Sequence, residues 1–254
     1  MPKTALITGA SSGLGAEFAR QLAARGADVV LVARDRAALD DIAERIRSDH
    51  RVQVEVLPAD LVTTEGLDAV AARLTDPTRP IGVLVNNAGF GLDLDFARND
   101  IADEERHLDL HVRATMRLTH AALGAMLERG RGRILNVASV AAFLPRGTYG
   151  AVKMWIVSFS RWANAEYAAR GVTTTAVCPG FTHTNFHERM GLAPGKEGIP
   201  GPMWLDARDV VAEALSDAAR GKPVSIPSTR YKVLVAVARL LPNGLATRLA
   251  KTGR

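Results

Sequence analysis

Tyr149 and Lys153 stand four residues apart in the segment TYGAVK, and Ser139 precedes them in NVASV. The stretch 148–170 around the pair carries apolar residues at helical spacing: Val152, Ile156, Phe159, Trp162, Ala163 and Tyr167. Side chains at i and i+4 share one face of a helix, so the phenol and the ammonium can point into the same space. A cation beside a phenol favours phenolate and is expected to lower the tyrosine pKa. A phenol tuned in that way exchanges a proton with an alcohol or carbonyl oxygen. Ser139 ends RILNVAS, which reads as a buried strand, and its hydroxyl can hold the same oxygen and stabilise developing charge there. A Tyr-x-x-x-Lys pair by itself is also what an ordinary helix face with one polar pair looks like.

These side chains need a scaffold that brings a strand end and a helix face together. Short runs, most of them rich in Val, Ile and Leu, predict strands at 3–8, 28–33, 52–57, 81–86, 132–138, 172–178 and 223–227. Helical stretches near 14–25, 35–48, 64–75, 101–129, 148–170 and 206–219 alternate with them. Strands separated by helices imply an α/β fold: a parallel sheet of about seven strands with helices on both faces. Right-handed crossovers then place ligands at the carboxyl ends of the strands.

Further motifs end at those edges. TGASSGLG follows the first strand and opens the first helix. Gly9, Gly13 and Gly15, with Ser11, Ser12 and Leu14 among them, allow a tight turn and close approach to a pyrophosphate at a helix N-terminus. The second strand ends VVLVAR. Ala33 stands where a carboxylate would bind a ribose 2′-hydroxyl, and Arg34 follows it. An arginine there fits a 2′-phosphate, which points to NADP(H). The competing reading makes Arg34 a surface charge and gives the ribose to Asp35.

With NNAG at 86–89 and PGFTHT at 179–184, the chain resembles the short-chain dehydrogenase/reductase family over nearly its whole length. The resemblance implies a Rossmann-type doubly wound sheet and hydride transfer between a nicotinamide cofactor and a carbonyl or alcohol. It makes Tyr149 the general acid/base, has Ser139 orient the substrate oxygen, and has Lys153 lower the tyrosine pKa and bind the nicotinamide ribose. It also assigns Asp60 and Leu61 to the adenine, and Asn87, Ala88 and Gly89 to the wall against the cofactor. Pro179, Gly180, Thr182 and Thr184 complete the cofactor site, Thr184 at the carboxamide. NNAG is equally readable as a strand-end turn that shapes the central sheet. Two positions depart from the family. His111 stands where relatives carry an asparagine that supports a relay water; imidazole can relay protons itself, or the position is structural. Ser139 and Tyr149 are only ten positions apart, so AAFLPRGT makes a tight wall of the substrate site.

The chain has 254 residues, 47% of them hydrophobic, enough for one α/β domain with a large core. No linker or repeat interrupts 1–254. The stretch 185–205, rich in Gly, Pro and Met, is expected as a substrate lid, and 228–254 as a basic tail. Phe143, Leu144, Phe181, Phe186, Met190, Met203 and Trp204 can line an apolar pocket or simply pack the core. The first strand starts at Lys3 and leaves no room for a signal peptide, and no apolar run reaches about 18 residues. A cytoplasmic protein without a transmembrane segment is expected. Cys178, the single cysteine, reads as a buried inert thiol. His183 and His187 lack the partners of a metal site, so no metal is expected. The net charge of +5 gathers late: Arg220–Arg254 holds eight Lys/Arg and no Asp/Glu. These cations are dispersed among apolar residues without a nucleic-acid motif, so a solvated or subunit-facing tail is the plain reading. The long helices carry more apolar residues than one sheet face needs, and in relatives such helices pair into dimers and tetramers. The expected partners are a small hydrophobic ketone or alcohol and further copies of the chain, as a homodimer or homotetramer. Reduction of 3-oxoacyl thioesters and a non-catalytic NADP-binding sensor or scaffold are the alternatives.

Overall fold

The alternation of short apolar runs with amphipathic stretches folds into one sheet with helices on both faces. A computed structural model describes residues 4–92, 94–184 and 200–240. Its strands are β1 (Thr4–Thr8), β2 (Asp28–Ala33), β3 (Val54–Pro58), β4 (Val83–Asn86), β5 (Gly132–Val137), β6 (Val172–Val177) and β7 (Val224–Ser225). All pair in parallel in the order β3-β2-β1-β4-β5-β6-β7. The direction of winding reverses between β1 and β4, which opens a crevice at their carboxyl ends.

The helices are α1 (Gly13–Ala24), α2 (Arg36–Asp49), α3 (Thr64–Thr75), α4 (Ile101–Leu108), α5 (Thr115–Glu128), α6 (Gly147–Tyr167), α7 (Ala207–Ala219) and α8 (Thr229–Leu240). Short polar side chains start several of them. Asp35, Thr63, Asp100 and Asp206 each accept a backbone N–H of the first turn, at α2, α3, α4 and α7. Each such cap is worth about 1 kcal/mol. On one face of the sheet, Phe18, Leu22, Leu39, Ile46 and Val211 from α1, α2 and α7 pack on Ile7, Leu31 and Leu135. On the other, Leu67, Val70, Leu118 and Met126 from α3 and α5 pack on Leu6, Leu84 and Ile134. Phe18 is wholly buried, so truncating it to alanine costs about 3–5 kcal/mol.

The stretch expected as a single helix over 101–129 is three pieces. α4 runs into a π-helical turn, Asp109–Ala114, before α5 begins. Part of the segment expected as a basic tail is also ordered: α8 buries Tyr231 and Val235. Of the expected lid, 185–199 lies outside the described residues; the rest includes a 3-10 turn at Gly201–Met203 and a bridge from Thr182 to Leu205.

Candidate active site

The crevice at the carboxyl ends of β1 and β4 is lined by backbone rather than by bulky side chains. Gly9 has φ +65°, and a β-carbon on Gly15 would come 2.1 Å from the Gly9 carbonyl oxygen. The turn therefore folds onto itself as only glycine permits. It is strapped to the NNAG segment: Thr8 Oγ1 accepts from the N–H groups of Asn87 and Ala88 at 3.0 and 3.1 Å, and Asn87 Nδ2 donates to Thr8 O at 3.0 Å. Thr184 reaches the same edge, its β-carbon 3.3 Å from where one on Gly13 would stand. The result is a shallow cradle of backbone at the N-terminus of α1, with no acidic residue in the first turn. Such a cradle fits a pyrophosphate.

The far end of the second strand separates the two ribose candidates. Asp35 is engaged as the cap of α2, accepting from the Ala38 N–H at 3.1 Å. Arg34 is exposed, and the neighbouring ion pair, at 3.4 Å, belongs to Arg36 and Asp40. Asp60 accepts from Val62 N–H at 3.2 Å beside the buried Leu61, at the edge of β3.

The sheet brings Ser139, Tyr149 and Lys153 together. Ser139 follows β5 and starts a 3-10 turn, Val140–Phe143, by accepting from Ala141 N–H at 3.1 Å. The turn reverses the chain into α6, whose first two turns carry Tyr149 and Lys153. The Tyr149 hydroxyl and Ser139 are hydrogen-bonded. Lys153 is 4% exposed, donates to Val137 O at 2.9 Å, and sits 5.5 Å from the Tyr149 ring centroid.

The electrostatics correct one expectation. Burial pushes the Tyr149 phenol up to about 12, against the opposing pull of Ser139 and the Arg146 charge. Burial likewise pulls the Lys153 ammonium down to about 7. Desolvation disfavours both charged forms, and a lysine drawn toward neutrality does little to acidify its neighbour. Cys178 beneath them is pushed up to about 12 by burial, an inert thiol.

His111 stands inside the π-helical turn, 1% exposed, with its ring centroid 6.2 Å from that of Tyr149. A β-carbon on Gly89 would come 2.4 Å from this ring. Its Nε2 lies 2.8 Å from Phe90 O and 3.3 Å from Phe90 N. The shorter contact requires Nε2 to carry the hydrogen, which fixes the tautomer by its bond to the carbonyl. Burial, with the charge of Lys153 next, holds this imidazole well below its ordinary pKa.

Several expected pocket residues have other duties. Phe143 lies under the Arg239 guanidinium at 4.6 Å. Phe181 and Met203 pack against Leu205, Val210 and Tyr231, and Trp204 stacks on His183 at 4.8 Å. Phe186, Met190 and His187 lie outside the described residues. Among the described residues no group of His, Cys, Asp and Glu is arranged to hold a metal, and no helix is long and apolar enough to cross a membrane.

Three features escaped sequence reasoning. His107 lies one turn before His111, and the i,i+4 spacing in HLDLH was its only signal. Asn86 donates to Asn136 at 2.8 Å and Asn136 to Ser160 at 3.0 Å, a buried polar ladder from β4 to α6. Tyr231 lies flat where a β-carbon on Gly180 would be, accepts from Phe181 N–H at 3.1 Å and donates to Met203 O at 2.8 Å. It thereby holds the segment containing Pro179, Gly180 and Thr182.

Comparison with known proteins agrees with this geometry. Residues 3–193 match the family model described as short chain dehydrogenase. Ketoacyl reductase HetN from Nostoc sp. is 32% identical over 258 aligned positions, covering 96% of this chain and 86% of that protein. A short-chain dehydrogenase from Sphingobium yanoikuyae, solved in complex with NADPH, superposes with a TM-score of 0.85 at 36% identity over 93% of each chain. The bulky-bulky ketone specific alcohol dehydrogenase from Comamonas testosteroni gives 0.80 at 33% identity, over 96% of this chain and 93% of that one.

Proposed function

The chain belongs to the short-chain dehydrogenase/reductase family of oxidoreductases, and we propose that it uses NADP(H) to interconvert a hydrophobic ketone or aldehyde and its alcohol. The observation that carries this reading is the Ser139–Tyr149 hydrogen bond over a buried Lys153, on the sheet edge that also bears the glycine cradle. The cradle with Asn87, Ala88, Gly89 and Thr184 would hold the cofactor, and Arg34 its 2′-phosphate, Asp35 being occupied as a cap. When bound, the nicotinamide supplies or accepts the hydride.

The protein supplies the proton. A phenol held protonated by burial is ready to donate to a carbonyl oxygen, so Tyr149 is set for reduction. Ser139 orients that oxygen. Lys153, near neutrality, can return a proton to the tyrosine side once it has been spent. Tyr149→Phe removes the transferable proton and leaves the cradle intact. We expect ketone reduction to be lost while NADPH still binds, as read by fluorescence titration. Undiminished turnover would remove Tyr149 from the role.

A second reading, 3-oxoacyl thioester reduction, is favoured by the likeness to a ketoacyl reductase and by the basic stretch after Arg220, which suits an acidic carrier. NADPH oxidation against a panel of bulky ketones and 3-oxoacyl thioesters decides between them. NADPH binding without turnover of any of these would instead favour a sensor or scaffold. Exposed Met116, Met154 and Trp162 on α5 and α6 support a homo-oligomer, which light scattering at micromolar concentration tests. We place the enzyme in the cytoplasm.

A further inference from the structure

Glu104, His107 and His111 follow one another at i, i+3 and i+7, and all three are buried, at 4%, 0% and 1% exposure. The inward stripe of α4 and the π-helical turn is thus ionisable where an apolar face would be ordinary. His107 is the unusual member. Among the described residues, neither of its ring nitrogens has a hydrogen-bond partner. Its ring lies 4.4 Å from His111, 6.0 Å from Tyr149 and 5.5 Å from Phe90, centroid to centroid. Glu104 accepts from the half-buried Asn99 Nδ2 at 2.8 Å through Oε1, while its Oε2 also has no partner among the described residues. Buried polar atoms of this kind are normally satisfied by ordered water.

The reaction needs such a path, on the reading given above. As hydride reaches the carbonyl carbon, a C–H bond forms and the oxygen takes the Tyr149 proton. The phenolate left behind must regain one proton per turnover, and Lys153 beside it is 4% exposed. His111 cannot hand a proton on while its Nε2–H is bound to Phe90 O. Neither ring nitrogen of His107 is engaged among the described residues, so one can accept a proton and the other release one. We propose that His107 carries protons over bridging water between the Lys153 side of the site and the Glu104 carboxyl beside the half-buried Asn99, with His111 as the positioning residue that fixes the path.

The charges that act on His107 fit this placement. Burial and the Lys153 charge pull its imidazole down to about 4, and Glu104 opposes them. Tyr149 and His111, with ring centroids at 6.0 and 4.4 Å, are the other titratable groups that face it among the described residues. A neutral imidazole can take a proton at one nitrogen while losing one from the other.

Rapid mixing of the NADPH-loaded enzyme with a turned-over ketone separates supply of the proton from its use. In His107→Phe the first turnover should keep the wild-type rate within about twofold, because Tyr149 starts protonated. Later turnovers should slow by about tenfold or more, giving a burst of one equivalent. His107→Gln, which hydrogen-bonds without titrating, should show the same burst if the phenylalanine variant does not fold. Equal loss in first and later turnovers, or no loss in either, would overturn the proposal. Nitrogen-15 NMR of the enzyme without cofactor gives a readout independent of activity. The His107 ring hydrogen should exchange with water faster than that of His111, and Glu104→Gln should slow it. A slowly exchanging His107 ring would refute the path even if no substrate is turned over. Rapid exchange with no turnover would instead count against the oxidoreductase reading.

Discussion

Replacing Arg34 with alanine tests the cofactor assignment with little disturbance to the fold. The side chain is exposed and has no ion pair among the described residues, so the expected change in stability is within about 0.5 kcal/mol. Whatever is lost is therefore lost from ligand binding. A charge-assisted hydrogen bond contributes about 1.5–3 kcal/mol, and each 1.4 kcal/mol is tenfold in affinity. Arg34→Ala should raise the KM for NADPH by about 10- to 150-fold. The lower end is favoured, because an exposed guanidinium is partly screened by water and salt. The KM for NADH should barely move, as that cofactor has no 2′-phosphate for the arginine to hold. Initial rates over a concentration series of each cofactor, at low and moderate salt, measure the effect, and salt should weaken NADPH binding more in the wild type than in the variant. An equal loss for both cofactors would place Arg34 elsewhere. A wild-type enzyme that prefers NADH would refute the reasoning outright.

Tyr231→Phe strips the hydroxyl that serves Phe181 N–H and Met203 O, and should cost about 1–3 kcal/mol in urea unfolding; no loss would show that these groups find other partners. His111→Leu should lower kcat, while His111→Asn, which keeps a polar group against Phe90, should retain much of it. A leucine enzyme with normal kcat and an unaltered pH profile would make the residue purely structural. Acid stability provides a third check. His107 is held at about 4 in the fold against an ordinary 6.5, so between these values the unfolded chain binds more protons than the native one. Stability is then lost as pH falls through that window, and His107→Phe should flatten the slope of unfolding free energy against pH there. An unchanged slope would mean that His107 does not titrate on unfolding.

The central strands and the Ser139–Tyr149–Lys153 arrangement were legible because local rules govern them. β1, β2, β4 and β5 are buried and rich in Val, Ile and Leu, β6 is buried and β-branched throughout but for Ala176, and a four-residue spacing fixes a helix face whatever surrounds it. β7 was overrun at both ends: the read segment 223–227 reduces to two paired residues at the sheet edge. The break at 109–114 had no signal, since a wider helical winding changes hydrogen-bond partners without demanding a residue type. α8 was read as part of a basic tail because its cations are dispersed among apolar residues; in the structure only two of its residues are buried, and Val233, Leu234 and Val237 face outward. The direction of the tyrosine pKa was misjudged for another reason. Spacing reveals which charges are near, but the depth of burial that outweighs them belongs to the tertiary fold.

The bond from Tyr231 to Phe181 spans fifty positions, and it ties the carboxyl end of β6 to α8. A ribosome delivers that helix after the strands. While the chain is being made, β1, β4 and β5 can assemble around their glycine turn, yet the segment at 179–182 has no strut until α8 emerges. The nascent protein should therefore acquire its sheet before the segment at 179–182 is braced. A stalled or clipped chain ending before Tyr231 would leave Phe181 N–H and Met203 O without that hydroxyl.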